Sequence, residues 1–406
     1  MNIHFLQFAK KVFPLYIILV SVSLSCSIND PQVFTTAPSS ERGHLISYSK
    51  TGTMTAEEVV SANRRDLDLS EYADYDFDIY SIVYNSLDGG DPLEVSGLVF
   101  IPKGVVKEFD LLQNHHGTII PGDNNEVPST YEGGRRGSSE MYLISAAMAS
   151  NGYVVSMPDY VGYGVTSDRE HPYTIHHELA EVSVDMLRAT KQLLATLSVA
   201  STNEVFLMGW SEGGGAGLAT HKYLQEKYAA EFIVKGSSLF AGPYDYFSFI
   251  KDIMSNREVE NENLSIYSWS AYAMNNYQQT LNNNPNSIWN YSVTNQIDAL
   301  YVPSYKPAGI FQESFMDGIS QEFNAEWVAA AKANTLLEGW TPQGQLFFHS
   351  GTDDFIVPHY NSVNAHEHFK SLDVNSTIYE YPGGDHYTPV YDYVINSLKD
   401  FEKMKN

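Results

Sequence analysis

The sequence predicts a doubly wound, mostly parallel α/β sheet with a helical cap inserted before its last strands. Three observations carry this. Short apolar runs alternate with helix-length stretches, as in a parallel sheet covered on both faces. One apolar run, Val205 to Met208, ends in Gly209-Trp210-Ser211-Glu212-Gly213 and opens into a helix-forming stretch reaching Tyr228. Between about residues 244 and 339 strand signals fade, and Asn and aromatic residues become dense.

The elements follow in order. Residues 1–25 pair Lys10 and Lys11 with an apolar core, Val12 to Val20, and read as a secretory signal too short for a confident membrane span. Cys26 is the only cysteine of the chain, so it can form no internal disulfide. Ser23-Leu24-Ser25-Cys26 resembles a bacterial lipobox, which makes Cys26 the expected lipidation site. Residues 26–44, rich in Ser, Thr and Pro, then read as a flexible tether, and residues 45–406 as one folded domain. The expected place is a membrane-anchored lipoprotein of a bacterial envelope.

Phe77 to Tyr84 and Val95 to Ile101, joined across Asp88-Gly89-Gly90-Asp91-Pro92, read as a hairpin. Strands are expected at Asp110 to Gln113, Tyr153 to Met157, Val205 to Met208 and Ser237 to Ala241. Glu178 to Leu197 places Leu179, Val182, Met186, Leu193 and Leu194 on one broad helical face. After the insertion the sheet resumes at Leu346 to His349 and ends at Ser376 to Tyr381, with helices over about 361–370 and 389–404.

The net charge of the 406-residue chain is −25, and −27 once Lys10 and Lys11 leave with the signal. No basic run survives, so nucleic acid is not an expected partner. None of the 13 histidines sits in a metal-binding spacing such as His-Glu-x-x-His. No metal and no cofactor is expected.

Ser211 sits in the strand–turn–helix context of a nucleophile elbow. A serine hydroxyl needs a base to take its proton and a third group to orient that base. Gly383-Gly384-Asp385-His386 follows the last strand, and its glycines let the loop pass close to the serine, so His386 is the expected base. Asp353 and Asp354 follow another strand and both lie at the same sheet edge.

The chain resembles the α/β-hydrolases, and within them the secretory lipases of fungi and bacteria. The likeness runs over about residues 95–395. It includes Gly152-Tyr153-Val154-Val155, Pro158-Asp159-Tyr160-x-Gly162-x-Gly164, Asp185 to Ala189, and Tyr228 to Phe232. The resemblance implies the chain order Ser, acid, His. It also implies a Gly-x-x-Asp-x-x-Val-Pro segment, which selects Asp354 over Asp353. His116-Gly117-Thr118 resembles the His-Gly-x oxyanion segment, so Thr118 and the residue after the nucleophile, Glu212, are the implied backbone donors. The chain departs from the lipases in reading Trp210-Ser211-Glu212-Gly213 where Tyr-Ser-Gly-Gly is usual, and in lacking disulfides.

The expectation is an extracytoplasmic carboxylester hydrolase acting through Ser211, His386 and Asp354 on a small-molecule, lipid or glycan ester. A prolyl-type peptidase and a non-catalytic binding protein on the same fold are the alternatives. Asp159 and Tyr160 read as loop packing, and Tyr267, Trp269, Tyr272, Tyr277 and Trp289 as the core of the cap more than as a ligand platform.

Overall fold

The computed structural model describes residues 32–33, 41–63, 67–104, 108–135, 137–278, 281 and 283–405. The signal segment and Cys26 lie outside them.

The chain opens with β1 (Gln32–Val33), β2 (Leu45–Met54) and α1 (Ala56–Asn63). The hairpin is β3 (Phe77–Asp88) and β4 (Asp91–Pro102), paired in continuous register across a turn at Gly89 and Gly90. There follow β5 (Phe109–His115), a π-helical turn at Glu140–Ser145 leading into α2 (Ala146–Ser150), β6 (Val154–Pro158) and α3 (His176–Thr196). Next come the elbow pair β7 (Ser201–Trp210) and α4 (Glu212–Lys227), then β8 (Ile233–Phe240).

The described strands form one sheet in the order β1-β2-β3-β4-β6-β5-β7-β8 and then two later strands, β9 and β10. From β6 onward all neighbours are parallel. The strands up to β4 pair antiparallel, and so does β4 with β6. Side chains alternate across the sheet as the pleat requires. On β7, Val205 and Leu207 enter the core under α3 and α4, whereas Phe206 and Met208 enter the core under α2 and the last helix.

The cap is α5 (Tyr246–Ser255), α6 (Leu264–Tyr277), α7 (Gln296–Leu300), α8 (Glu313–Ser320) and α9 (Ala325–Ala333). It closes on its own core, with Trp269, Trp289 and Trp327 fully buried. Its density of Asn has a local cause: the Asn295 and Asn324 side chains cap the first turns of α7 and α9. The sheet then resumes with β9 (Gln345–Gly351), α10 (Tyr360–Ser371), β10 (Ser376–Tyr381) and α11 (Val390–Glu402). Parallel strands bring their following loops to one edge, so the loops after β5, β7, β9 and β10 meet there.

Two expectations need correction. The tether ends before residue 44, because Arg42 is held by Asp185 at 2.9 Å and Glu181 at 3.4 Å, and the Gly43 N–H bonds the Asn85 carbonyl. Strand β2 was not foreseen. Only its ends, Leu45 and Met54, are buried, so no period-two apolar pattern marks it. Among the described residues no helix is long and apolar enough to cross a membrane.

Candidate active site

Strand β7 delivers Ser211 in a conformation that few non-glycine residues adopt, with φ 60° and ψ −124°. The Ser211 N–H bonds the Phe240 carbonyl at 2.8 Å. The turn is possible because of its two glycines: a Cβ on Gly209 would lie 2.1 Å from the Gly213 oxygen, and one on Gly213 would lie 1.9 Å from the His115 oxygen. The Trp210 indole N–H reaches the His386 carbonyl at 3.1 Å, so the elbow also holds the histidine loop.

His386 is buried, and its Nδ1 lies 2.7 Å from Asp354 Oδ2. An ionised carboxylate only accepts, so Nδ1 carries the proton and Nε2 keeps its lone pair. The other Asp354 oxygen accepts the N–H groups of Ile356 at 2.9 Å and Val357 at 3.0 Å. Asp353 points to solvent, and its carboxylate accepts from the neighbouring Thr352 hydroxyl. The acid and histidine loops touch: the Asp353 N–H bonds the Gly384 carbonyl, and a Cβ on Gly351 would lie 2.1 Å from that same oxygen.

The loop after β5 passes directly beside the elbow. A Cβ on Gly117 would lie 3.5 Å from Ser211 Cβ. The Gly117 N–H is committed to Glu140 Oε1 at 2.8 Å, which leaves Thr118 as the next donor of this loop. The Thr118 hydroxyl is held by the Tyr173 hydroxyl at 2.8 Å. Glu212 is the first residue of α4, where a backbone N–H has no partner within the helix.

Two hollows meet at Ser211. One is a narrow slot of about 40 Å³ under the cap, walled by Tyr246, Phe249, Ile250, Ile253, Met254 and Tyr267. The other is a cleft of about 440 Å³ bordered by Thr118, Glu126, Glu140, Trp210, His386 and Tyr387.

Residues 127–282 match the family described as secretory lipase. The chain has the α/β-hydrolase fold and resembles the secretory lipases. It superimposes with a TM-score of 0.76 on a Legionella pneumophila protein named as a hydrolase, at 22% identity over 90% of this chain and 98% of that one. It superimposes with 0.75 on LipA of Xanthomonas oryzae, a rice cell wall degrading esterase, at 20% identity over 90% and 100%. Candida antarctica lipase A in its closed state gives 0.64 at 14% identity over 90% and 84%. No curated protein matches the chain. The structural likenesses establish the fold, and with the family match they support a carboxylester hydrolase of an exported type.

Several residues of the site had no sequence signal. Glu140 stands at the start of the π-helical turn, buried, with its carboxyl on the loop after β5. The Glu212 carboxyl turns inward, with Oε1 2.9 Å from His171 Nε2 and accepting the Thr174 N–H at 3.0 Å. The departure from glycine at position 212 was visible; its partner His171, 41 positions upstream, was not.

Asp159 accepts from Ser96 Oγ at 2.6 Å and the Ser129 N–H at 2.8 Å, and Tyr160 packs its ring 4.3 Å from His116, so both serve the loop's packing. Of the cap aromatics, Trp269 stacks on Tyr173 at 4.1 Å and Trp289 bonds Ser268, deep in the cap core. Tyr267 alone of the five borders the slot, its hydroxyl on the Ile356 carbonyl at 2.6 Å. Among the described residues no group of three His, Cys, Asp or Glu side chains is arranged to hold a metal ion.

Proposed function

We propose that the chain is an extracytoplasmic serine esterase that works through Ser211, His386 and Asp354. The observation that supports this most is the 2.7 Å contact of Asp354 with His386 Nδ1, at the cleft that also exposes the strained Ser211. In this reading the His386 Nε2 lone pair takes the Ser211 proton as Oγ bonds to the ester carbonyl carbon. The Thr118 and Glu212 N–H groups receive the charge on the former carbonyl oxygen. The intermediate collapses as the ester C–O bond breaks and His386 returns the proton to the leaving alcohol. Water, deprotonated by the same His386, then adds to the acyl carbon; the bond to Oγ breaks, His386 returns the proton to Ser211, and the carboxylic acid leaves.

The two hollows divide the substrate. The enclosed apolar slot suits an acyl chain. The open cleft, with Glu126, Glu140 and Thr118 on its walls, suits a polar alcohol such as a sugar unit. That assignment agrees with the cell-wall activity named for the Xanthomonas oryzae esterase.

A panel of aryl esters graded in acyl length, run beside aminoacyl anilides, tests the reading. Esters are hydrolysed with a preference for apolar acyl groups, and anilides are not. Efficient anilide cleavage, at a kcat/KM equal to that of the esters, would replace the esterase with a peptidase.

A further inference from the structure

Glu140 is the buried carboxyl in the cleft that the reaction scheme leaves idle, and its surroundings are unusual. It is only 7% exposed and borders the same cleft as Ser211 and His386. Its Oε1 accepts the Gly117 N–H at 2.8 Å, one residue before the proposed oxyanion donor Thr118. It begins a π-helical turn, a rare local geometry that recurs at functional sites. Among the described residues no Lys or Arg side chain pairs with it.

We propose that Glu140 is a positioning residue for this reaction: its neutral carboxyl, buried beside the cleft, holds the oxyanion loop by the Gly117 N–H, and a negative charge in its place disables the site. This inference rests on the esterase reading.

The chemistry follows from the placement. The transition state gathers negative charge on the substrate oxygen beside Thr118 and Glu212. A neutral carboxyl at Glu140 holds the loop without opposing that charge, whereas a carboxylate there repels it across a buried, poorly screened gap. The groups facing Glu140 are Glu126 in the cleft wall, Glu212 on α4, Tyr160 and Tyr393 in the packing behind it, and His386 and Tyr387 around the cleft. Burial pushes its carboxyl up to about 8; Glu126 and Glu212 add to the shift, and the Gly117 N–H opposes it. For an acid raised in this way the neutral form prevails below about pH 8 and is lost as pH rises through that value.

The test is a pH profile of kcat/KM from pH 5 to 10, with a neutral aryl ester, for the full chain and its Glu140→Gln, Glu140→Ala and Glu126→Gln variants. The wild type should lose at least tenfold in activity on an alkaline limb near pH 8. Glu140→Gln, whose amide oxygen still accepts from Gly117, should be a few-fold slower at pH 7 and lack that limb. Glu140→Ala should lose at least tenfold at every pH, and Glu126→Gln should keep the limb. A limb that persists in Glu140→Gln, vanishes in Glu126→Gln or is missing from the wild type overturns the proposal. Difference infrared spectra of wild type against Glu140→Gln read the same proton without turnover. A protonated-carboxyl band that is lost near pH 8 supports the proposal, and its absence at pH 6 refutes it even in a chain that cleaves no ester. Activity that survives Ser211→Ala would instead refute the esterase reading.

Discussion

At the scale of single residues, the two adjacent acids show what sequence and structure each contribute. Asp353 and Asp354 are equivalent in charge, and both lie at the right sheet edge. The spacing from Gly351 and back from Pro358 selected Asp354, and the carboxylate found beside His386 is that of Asp354. The physical reason is the turn. The Asp354 carboxylate folds back over the N–H groups of Ile356 and Val357 and is thereby aimed at the ring, while Asp353 faces water. Asp354→Asn should therefore lower kcat by about 10³-fold or more, through loss of the correct imidazole tautomer. Asp353→Asn should change it less than about threefold. Steady-state kinetics on the two variants, with circular dichroism to verify folding, settle the pair; equal losses would contradict the assignment. Glu140 and His171 mark the limit of legibility at this scale. Their roles depend on contacts made 23 positions away to Gly117 and 41 to Glu212, and neither contact leaves a spacing in the chain.

At the scale of elements, legibility followed burial. Strand β6 and helix α3, both largely buried, are displaced by only a residue or two from the bounds read in the sequence. Strongly buried stretches must repeat their apolar side chains at the period of the element. Strand β2 and helix α1 carry few buried side chains and so had no such pattern to read. The cap was visible as a change in composition, though not as five helices, because asparagines such as Asn295 and Asn324 cap short helices there instead of marking a loop. The same insertion makes the slot. Helices α5 and α6 lay Phe249, Ile250, Ile253, Met254 and Tyr267 above Ser211, so the cap's own core side chains and the acyl wall come from the same two helices. Ser270 ties this wall to the loop before α3 by hydrogen bonds to Thr174 at 2.6 Å and Tyr246 at 2.7 Å. A mobile cap would have to break that chain before it opened.

At the scale of the whole molecule, the question is where the catalytic domain works. The family match is to secreted enzymes. We propose further that Cys26 carries a lipid. Five residues, Ser27 to Pro31, lie between Cys26 and β1, the first described strand of the sheet, so a lipid on Cys26 would hold the domain close to the bilayer. Expression of the whole precursor in a bacterial host should yield detergent-soluble membrane material that moves to the aqueous fraction on Cys26→Ala. Wild-type protein found wholly in the aqueous fraction would remove the anchor and leave the enzyme untouched. The central claim lies in the elbow, where glycine sterics hold a strained serine in the cleft that the oriented His386 also borders. Its most direct measurement is reaction with a fluorophosphonate, followed by mapping of the adduct by mass spectrometry. The account predicts one adduct, on Ser211, formed in parallel with loss of esterase activity and absent from Ser211→Ala. An adduct on any other serine, or full activity in a chain labelled at Ser211, would contradict it.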